Sequence, residues 1–169
     1  DNETAVATAA DFTRLVDDIL QLLPGTTTVF MVTGAGPLAR MWRGELEHDF
    51  ERFLGQVTFI WSDDLGYQQT LDRVANLPPH SAILYITSGS DAERGWHSTE
   101  RVLADLSTQG NAPLFGVHSR WLGLGIVGGT LMFTEGLGRT AAEAAARILN
   151  GESPARVRIP PVEQGPAAF

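Results

Sequence analysis

The run Thr27-Thr28-Val29-Phe30-Met31-Val32-Thr33, bounded by Gly25 and followed by Gly34-Ala35-Gly36-Pro37, decides the fold class. It is apolar and β-branched throughout and too short for a buried helix, which is the pattern of a strand covered on both faces. Pro37 then stands where a first helical turn tolerates it, and Leu38, Met41, Trp42, Leu46, Phe50 and Phe53 continue at helical spacing as far as Gly55. A strand feeding directly into a helix is half of a parallel crossover unit.

The same unit recurs downstream. Strands are predicted at Val57 to Ser62, Ala82 to Thr87 and Leu114 to Val117, and helices at Tyr67 to Leu77 and Ser98 to Gln109. Upstream, Phe12, Leu15, Val16, Ile19, Leu20 and Leu23 mark an amphipathic helix from Ala9 to Leu23, with Thr8 as its N-cap and Pro24-Gly25 as its stop. A last helix runs from Glu135 to Leu149 and ends at Asn150-Gly151, and Ile126 to Phe133 is a candidate fifth strand. Parallel strands require right-handed crossovers, so helices must cover both faces. The expectation is an α/β fold, a three-layer αβα domain with a doubly wound, mainly parallel sheet of about five strands, Rossmann- or flavodoxin-like. Residues 1–158 are read as one lobe, and 159–169, with Pro160, Pro161 and Pro166 and no periodicity, as an extended crossing segment or linker.

Composition narrows the chemistry. The chain has 169 residues, 43% hydrophobic and 19% charged, which is ordinary for one globular domain. A net charge of −8 with scattered arginines argues against nucleic acid as a partner. All twelve basic residues are arginine, so Schiff-base chemistry and a Walker A lysine are excluded. There is no cysteine, hence no thiol nucleophile or thiolate metal site, and His48, His80, His97 and His118 lack metal-ligand spacing. No serine sits in a G-x-S-x-G elbow, and no apolar run is long enough for a membrane span.

Ligands of open parallel sheets bind outside the carboxyl ends of the strands. Four loops qualify: Thr33 to Pro37, Ser62-Asp63-Asp64, Ser88 to Asp91, and His118 to Trp121. The first matches G-x-G-x-x-G/A at Gly34, Gly36 and Ala39, with Asp63 at the end of the next strand. This nucleotide-dependent oxidoreductase pattern is weakened by Asp63 falling later than the usual ~20 residues. Asp63-Asp64 is similar to the acidic pair of receiver domains, but those place the pair after the first strand and need a lysine. Otherwise the two aspartates serve as caps for the helix near Tyr67. Trp42 and Trp61 fit a core, whereas Trp96 and Trp121 fall beside the loops, where an aromatic platform is useful.

Ala112-Pro113-Leu114-Phe115-Gly116-Val117, Gly125-Ile126-Val127-Gly128-Gly129, Glu135-Gly136-Leu137-Gly138-Arg139-Thr140 and Ile148-Leu149-Asn150-Gly151-Glu152-Ser153-Pro154 together resemble the second lobe of type 1 periplasmic binding proteins. The likeness extends to the Leu77-Pro78-Pro79-His80-Ser81-Ala82-Ile83-Leu84 approach and covers nearly the whole chain. It is shared by solute-binding components of ABC importers and by sensor regions of bacterial membrane histidine kinases. The resemblance implies a non-enzymatic, extracytoplasmic (periplasmic) lobe without a cofactor or metal. Its partners would be a small-molecule solute, a second lobe absent from this chain, a homodimer mate, and the membrane only through the parent protein. Asp1 to Ala7 and Ile159 to Phe169 would be the crossing segments. By position, the ligand-binding residues would be Thr33, Gly34, Gly36, Ser62, Asp63, Ser88, His118, Ser119 and Arg120.

Overall fold

The computed structural model describes residues 3–87 and 95–169, Leu38 by its backbone alone. A short strand β1 (Thr8–Ala9) precedes helix α1 (Phe12–Leu22), strand β2 (Thr28–Val32) and helix α2 (Pro37–Asp49), which tightens into a 3-10 turn over Phe50–Phe53. Strand β3 (Thr58–Trp61), helix α3 (Tyr67–Ala75), strand β4 (Ser81–Tyr85), helix α4 (Thr99–Gln109) and strand β5 (Leu114–Gly116) follow. A 3-10 turn at Ser119–Trp121 leads to β6 (Gly129–Thr130) and helix α5 (Thr134–Leu149). Past a 3-10 turn at Pro154–Arg156, the chain closes with β7 (Val162–Glu163) and β8 (Ala167–Ala168).

The main sheet is parallel, in the order β3-β2-β4-β5, with Thr28 opposite Thr58 on one side and Ser81 on the other. Every residue of β2 and β4 is buried, as an unbroken apolar run requires when helices cover both faces, whereas edge strand β3 is half-exposed. The chain moves from β2 outward to β3, then back past β2 to β4 and on to β5. Right-handed crossovers therefore put α2 on one face and α3 and α4 on the other. The packing agrees: α1 lies against α2, and α3 against α4. Val29, Phe30, Met31, Ile83, Leu84 and Phe115 are wholly buried between the layers. This is the three-layer αβα arrangement expected from the sequence.

Two boundaries differ from the sequence reading. Helix α1 is capped by Asp11, whose carboxylate accepts from the Arg14 N–H at 2.9 Å, and not by Thr8. Thr8 and Ala9 instead pair in parallel with Val162 and Glu163, a partner 154 residues away that no local pattern announces. The sheet proper also stops at four strands. Where a fifth would lie, Gly128 and Gly129 take φ of +139° and +125°, outside strand geometry. β6 pairs antiparallel with β8, and among the described residues a single parallel bridge, His118 to Met132, continues alongside β5. A Cβ on Gly128 would come within 2.1 Å of the Ala168 carbonyl, so glycine there is what lets the C-terminal segment lie against the domain. Asp18 Oδ2 accepts from both the N–H and hydroxyl of Thr130 at 2.7 and 2.6 Å, tying α1 to β6. α5 stands apart from the sheet: Ala144 is its one buried residue, and its main contact is with β7.

Candidate functional site

The order β3-β2-β4-β5 places a topological switch point between β2 and β4, from which successive connections depart in opposite directions. The loops there separate and leave a crevice at the carboxyl edge. A cleft of about 500 Å³ occupies that position. Gly34 and Gly36 line it after β2, Tyr85 to Thr87 at the end of β4, and Val117, His118, Arg120 and Trp121 after β5. Helices run antiparallel to the strands, so their first turns reach the same edge, and Phe12, Trp42 and Thr99 join the lining from α1, α2 and α4.

Aromatic side chains dominate the walls. Phe12 and Trp42 meet edge to face with centroids 5.4 Å apart, and Trp121 stands edge to face with Tyr85 at 4.8 Å and His118 at 4.6 Å. Trp121 can lie against β5 because residue 116 is glycine: a Cβ there would sit 2.9 Å from its Cε3. Trp96, also in the lining, is 82% exposed.

Among the described residues, three buried polar atoms around this edge have no hydrogen-bond partner: Thr33 Oγ1, His118 Nδ1 and Trp121 Nε1. Buried polar groups are nearly always paired, and each unpaired one costs about 1–3 kcal/mol, so three at one edge mark a place not optimised for stability alone. Burial, and secondarily the Arg120 charge, pushes the His118 pKa below its usual 6.5 and favours a neutral ring.

Of the loop residues singled out in the sequence, Gly34, Gly36, His118 and Arg120 line the cleft. Thr33 is buried behind them. Ser62 accepts from the Thr33 N–H and donates to the Thr33 carbonyl, both at 3.0 Å, clipping the first two loops together. Asp63 takes both of its hydrogen bonds from Arg43 Nη1, at 2.7 and 2.8 Å, and Arg43 also donates to Glu47 and lies over the Trp61 ring. Neither Ser62 nor Asp63 is among the lining residues. Helix α3 is not capped by the aspartates: it starts after Gly66, whose N–H donates to Gln69 Oε1 at 2.9 Å. Ser119 fastens its own turn, donating through N–H and hydroxyl to the Met132 carbonyl. Ser88 lies outside the described residues. Trp121 and Trp96 belong to the cleft as their loop positions indicate. Trp42, expected in the core, is half-buried and lines the cleft as well. Phe12, apolar in the predicted first helix, and Tyr85, inside a predicted strand, belong to both the core and the cleft lining. The overlooked signal was an aromatic in the first turns of a helix or at the last position of a strand.

No protein-family model matches the sequence, and no curated protein matches it. The fold is similar to the crystal structure of a conserved domain protein from Vibrio cholerae, with a TM-score of 0.72 and 14% sequence identity. The match covers 97% of this chain and 53% of that one, so the chain spans about half the length of the Vibrio protein. At this identity the likeness concerns the fold alone.

Proposed function

We propose that the chain is one ligand-recognition lobe of an extracytoplasmic sensor of the periplasmic-binding-protein type, in which a second lobe supplies the opposite wall of the cleft. Solute held between the lobes would favour a closed arrangement and so bias the signalling state of the parent protein. The observation that carries this reading is the cleft of about 500 Å³ at the switch point, where three of the four strand ends converge beside unpaired buried polar atoms. The Vibrio protein supports it: its fold is matched over about half its length, leaving room in that chain for a second lobe.

A solute-binding component of an importer would use the same lobe in the same way, and ligand-dependent autophosphorylation of the parent protein separates the two roles. The oxidoreductase reading is weaker on geometric grounds. Gly34 and Gly36 do line the cleft, but the carboxylate it would use for a ribose, Asp63, is held by Arg43. Binding without catalysis is therefore the reading we adopt.

The test is a melting-temperature screen of the two-lobe parent protein against amino acids, sugars, nucleosides, aromatic acids, NAD and NADP. A ligand at 100 times its Kd stabilises by about 2.7 kcal/mol, a readily measured rise. One saturable solute is expected; silence across every class overturns the proposal, and stabilisation by NAD or NADP alone transfers the site to redox chemistry. No helix among the described residues is long and apolar enough to cross a membrane, so anchoring would come from elsewhere in the parent.

A further inference from the structure

We infer that the solute held in this cleft is a flat aromatic or heteroaromatic carboxylate, with its ring packed among the aromatic walls and its anionic group turned to Arg120. The inference rests on the ligand-lobe reading above and adds the chemical class.

Three observations carry it. First, Phe12, Trp42, Tyr85, Trp96 and Trp121 reach one cleft from five separate segments of the chain. Edge-to-face pairs such as Phe12 with Trp42 leave ring faces available, and a planar guest fits such surfaces with little loss of rotamer freedom. Second, Trp96 keeps 82% of its surface in solvent although it borders the cleft, so a ring laid on it gains apolar burial that the chain alone does not achieve. Third, the described lining carries charge of one sign. Among the described residues, the lining carries Thr87, Thr99, His118 and Arg120 beside the tyrosine hydroxyl and indole nitrogens of its aromatic walls, and no aspartate or glutamate. A sugar calls for many paired hydrogen bonds, and an amine needs an acid. The described lining supplies neither, and with His118 favoured neutral its positive charge comes from Arg120. Among the described residues Arg120 has one ion-pair partner, Glu100, at a loose 3.8 Å with both side chains 60% exposed, so the guanidinium can turn to a ligand carboxylate at small cost.

The test is calorimetric titration of the full parent protein with indole-3-acetate, indole, cyclohexanecarboxylate and glucose. Saturable binding of indole-3-acetate is expected, with cyclohexanecarboxylate at least about tenfold weaker because it lacks a flat ring. Trp96→Ala should weaken both indole compounds about tenfold without moving the melting temperature. Arg120→Gln should bring indole-3-acetate down to the affinity of indole and leave indole unchanged. Equal binding of cyclohexanecarboxylate, preference for glucose, or indifference to both substitutions overturns the aromatic-carboxylate class while leaving a ligand lobe standing. Failure of these four probes together with the broader solute panel overturns the ligand lobe itself.

Discussion

The two halves of the sheet's carboxyl edge are built to opposite specifications. On the β3 side every polar group of interest is satisfied within the chain: Ser62 clips the Thr33 backbone, and Arg43 holds Asp63 and Glu47 while covering Trp61. On the β4 and β5 side, His118 and Trp121 bury nitrogens with no partner among the described residues, and Trp96 is left in water. Thr33 sits on the boundary, with its backbone satisfied by the first half and its hydroxyl buried without a partner among the described residues. A folded chain minimises such orphans unless something else requires the arrangement, so the contrast separates scaffold from site more sharply than residue type does.

Ser62→Ala should produce the largest effect on the closed half. It leaves a buried N–H and carbonyl of Thr33 without their partner, which costs about 2–4 kcal/mol in urea unfolding. Ligand affinity should change little once stability is restored by lower temperature. A large loss of affinity with unchanged stability would move Ser62 from scaffold to site and erase the contrast. Asp63→Asn follows, at about 1 kcal/mol, because the pair it breaks is charge-assisted but lies where Arg43 is 37% exposed. Its check is the same unfolding curve with and without high salt. A salt-insensitive loss would show that the Arg43–Asp63 pair acts by hydrogen bonding alone.

The sequence made the scaffold legible because its signals are local. The Thr27 to Thr33 run, Pro37 at the start of α2, Ser98 accepting from the Arg101 N–H and the left-handed Gly151 each reflect forces acting within a few residues. What depended on distant partners was not legible. Pairing of Thr8 with Val162 displaced the predicted cap, and the Arg43–Asp63 and Ser62–Thr33 contacts tie up two polar residues of the candidate loops within the chain. The reverse holds at Trp42, which fits a core by its helical spacing, and Phe12 is both a core residue and part of the cleft lining. A side chain at the end of an element can satisfy that periodicity and still form a cleft wall.

Thr33→Val probes the boundary with a smaller effect of opposite sign. Valine is nearly isosteric and removes only the unpaired buried hydroxyl, so stability should rise by about 1 kcal/mol, read as a higher urea midpoint at unchanged slope. If that hydroxyl serves the ligand, affinity falls in the same variant, and the two changes together identify a group kept for function at the expense of stability. A fall in stability instead would mean that Oγ1 has a partner in solution, and Thr33 would rejoin the closed half.

The smallest effect is a pH dependence at His118, and its sign follows from burial. The folded pKa lies below the usual 6.5, first because burial disfavours the charged ring and then because Arg120 repels it. Above 6.5 both folded and unfolded chains hold this histidine neutral, and its contribution is fully present. As pH falls from 6.5 toward the lowered value, the unfolded chain binds more protons than the folded one, so stability declines through that window and levels off below it for this group. His118→Asn should flatten the decline, measured as unfolding midpoints across the window, and Arg120→Gln should flatten it partly, since it removes only the second cause. An anionic ligand acts in the opposite direction: a carboxylate beside Arg120 offsets the repulsion and raises the His118 pKa. Saturating indole-3-acetate should therefore shift the histidine titration upward in the intact protein and leave it unmoved in Arg120→Gln. A titration indifferent to both Arg120 and the ligand would place His118 with the scaffold and reduce the open half of the edge to Trp96 and Trp121.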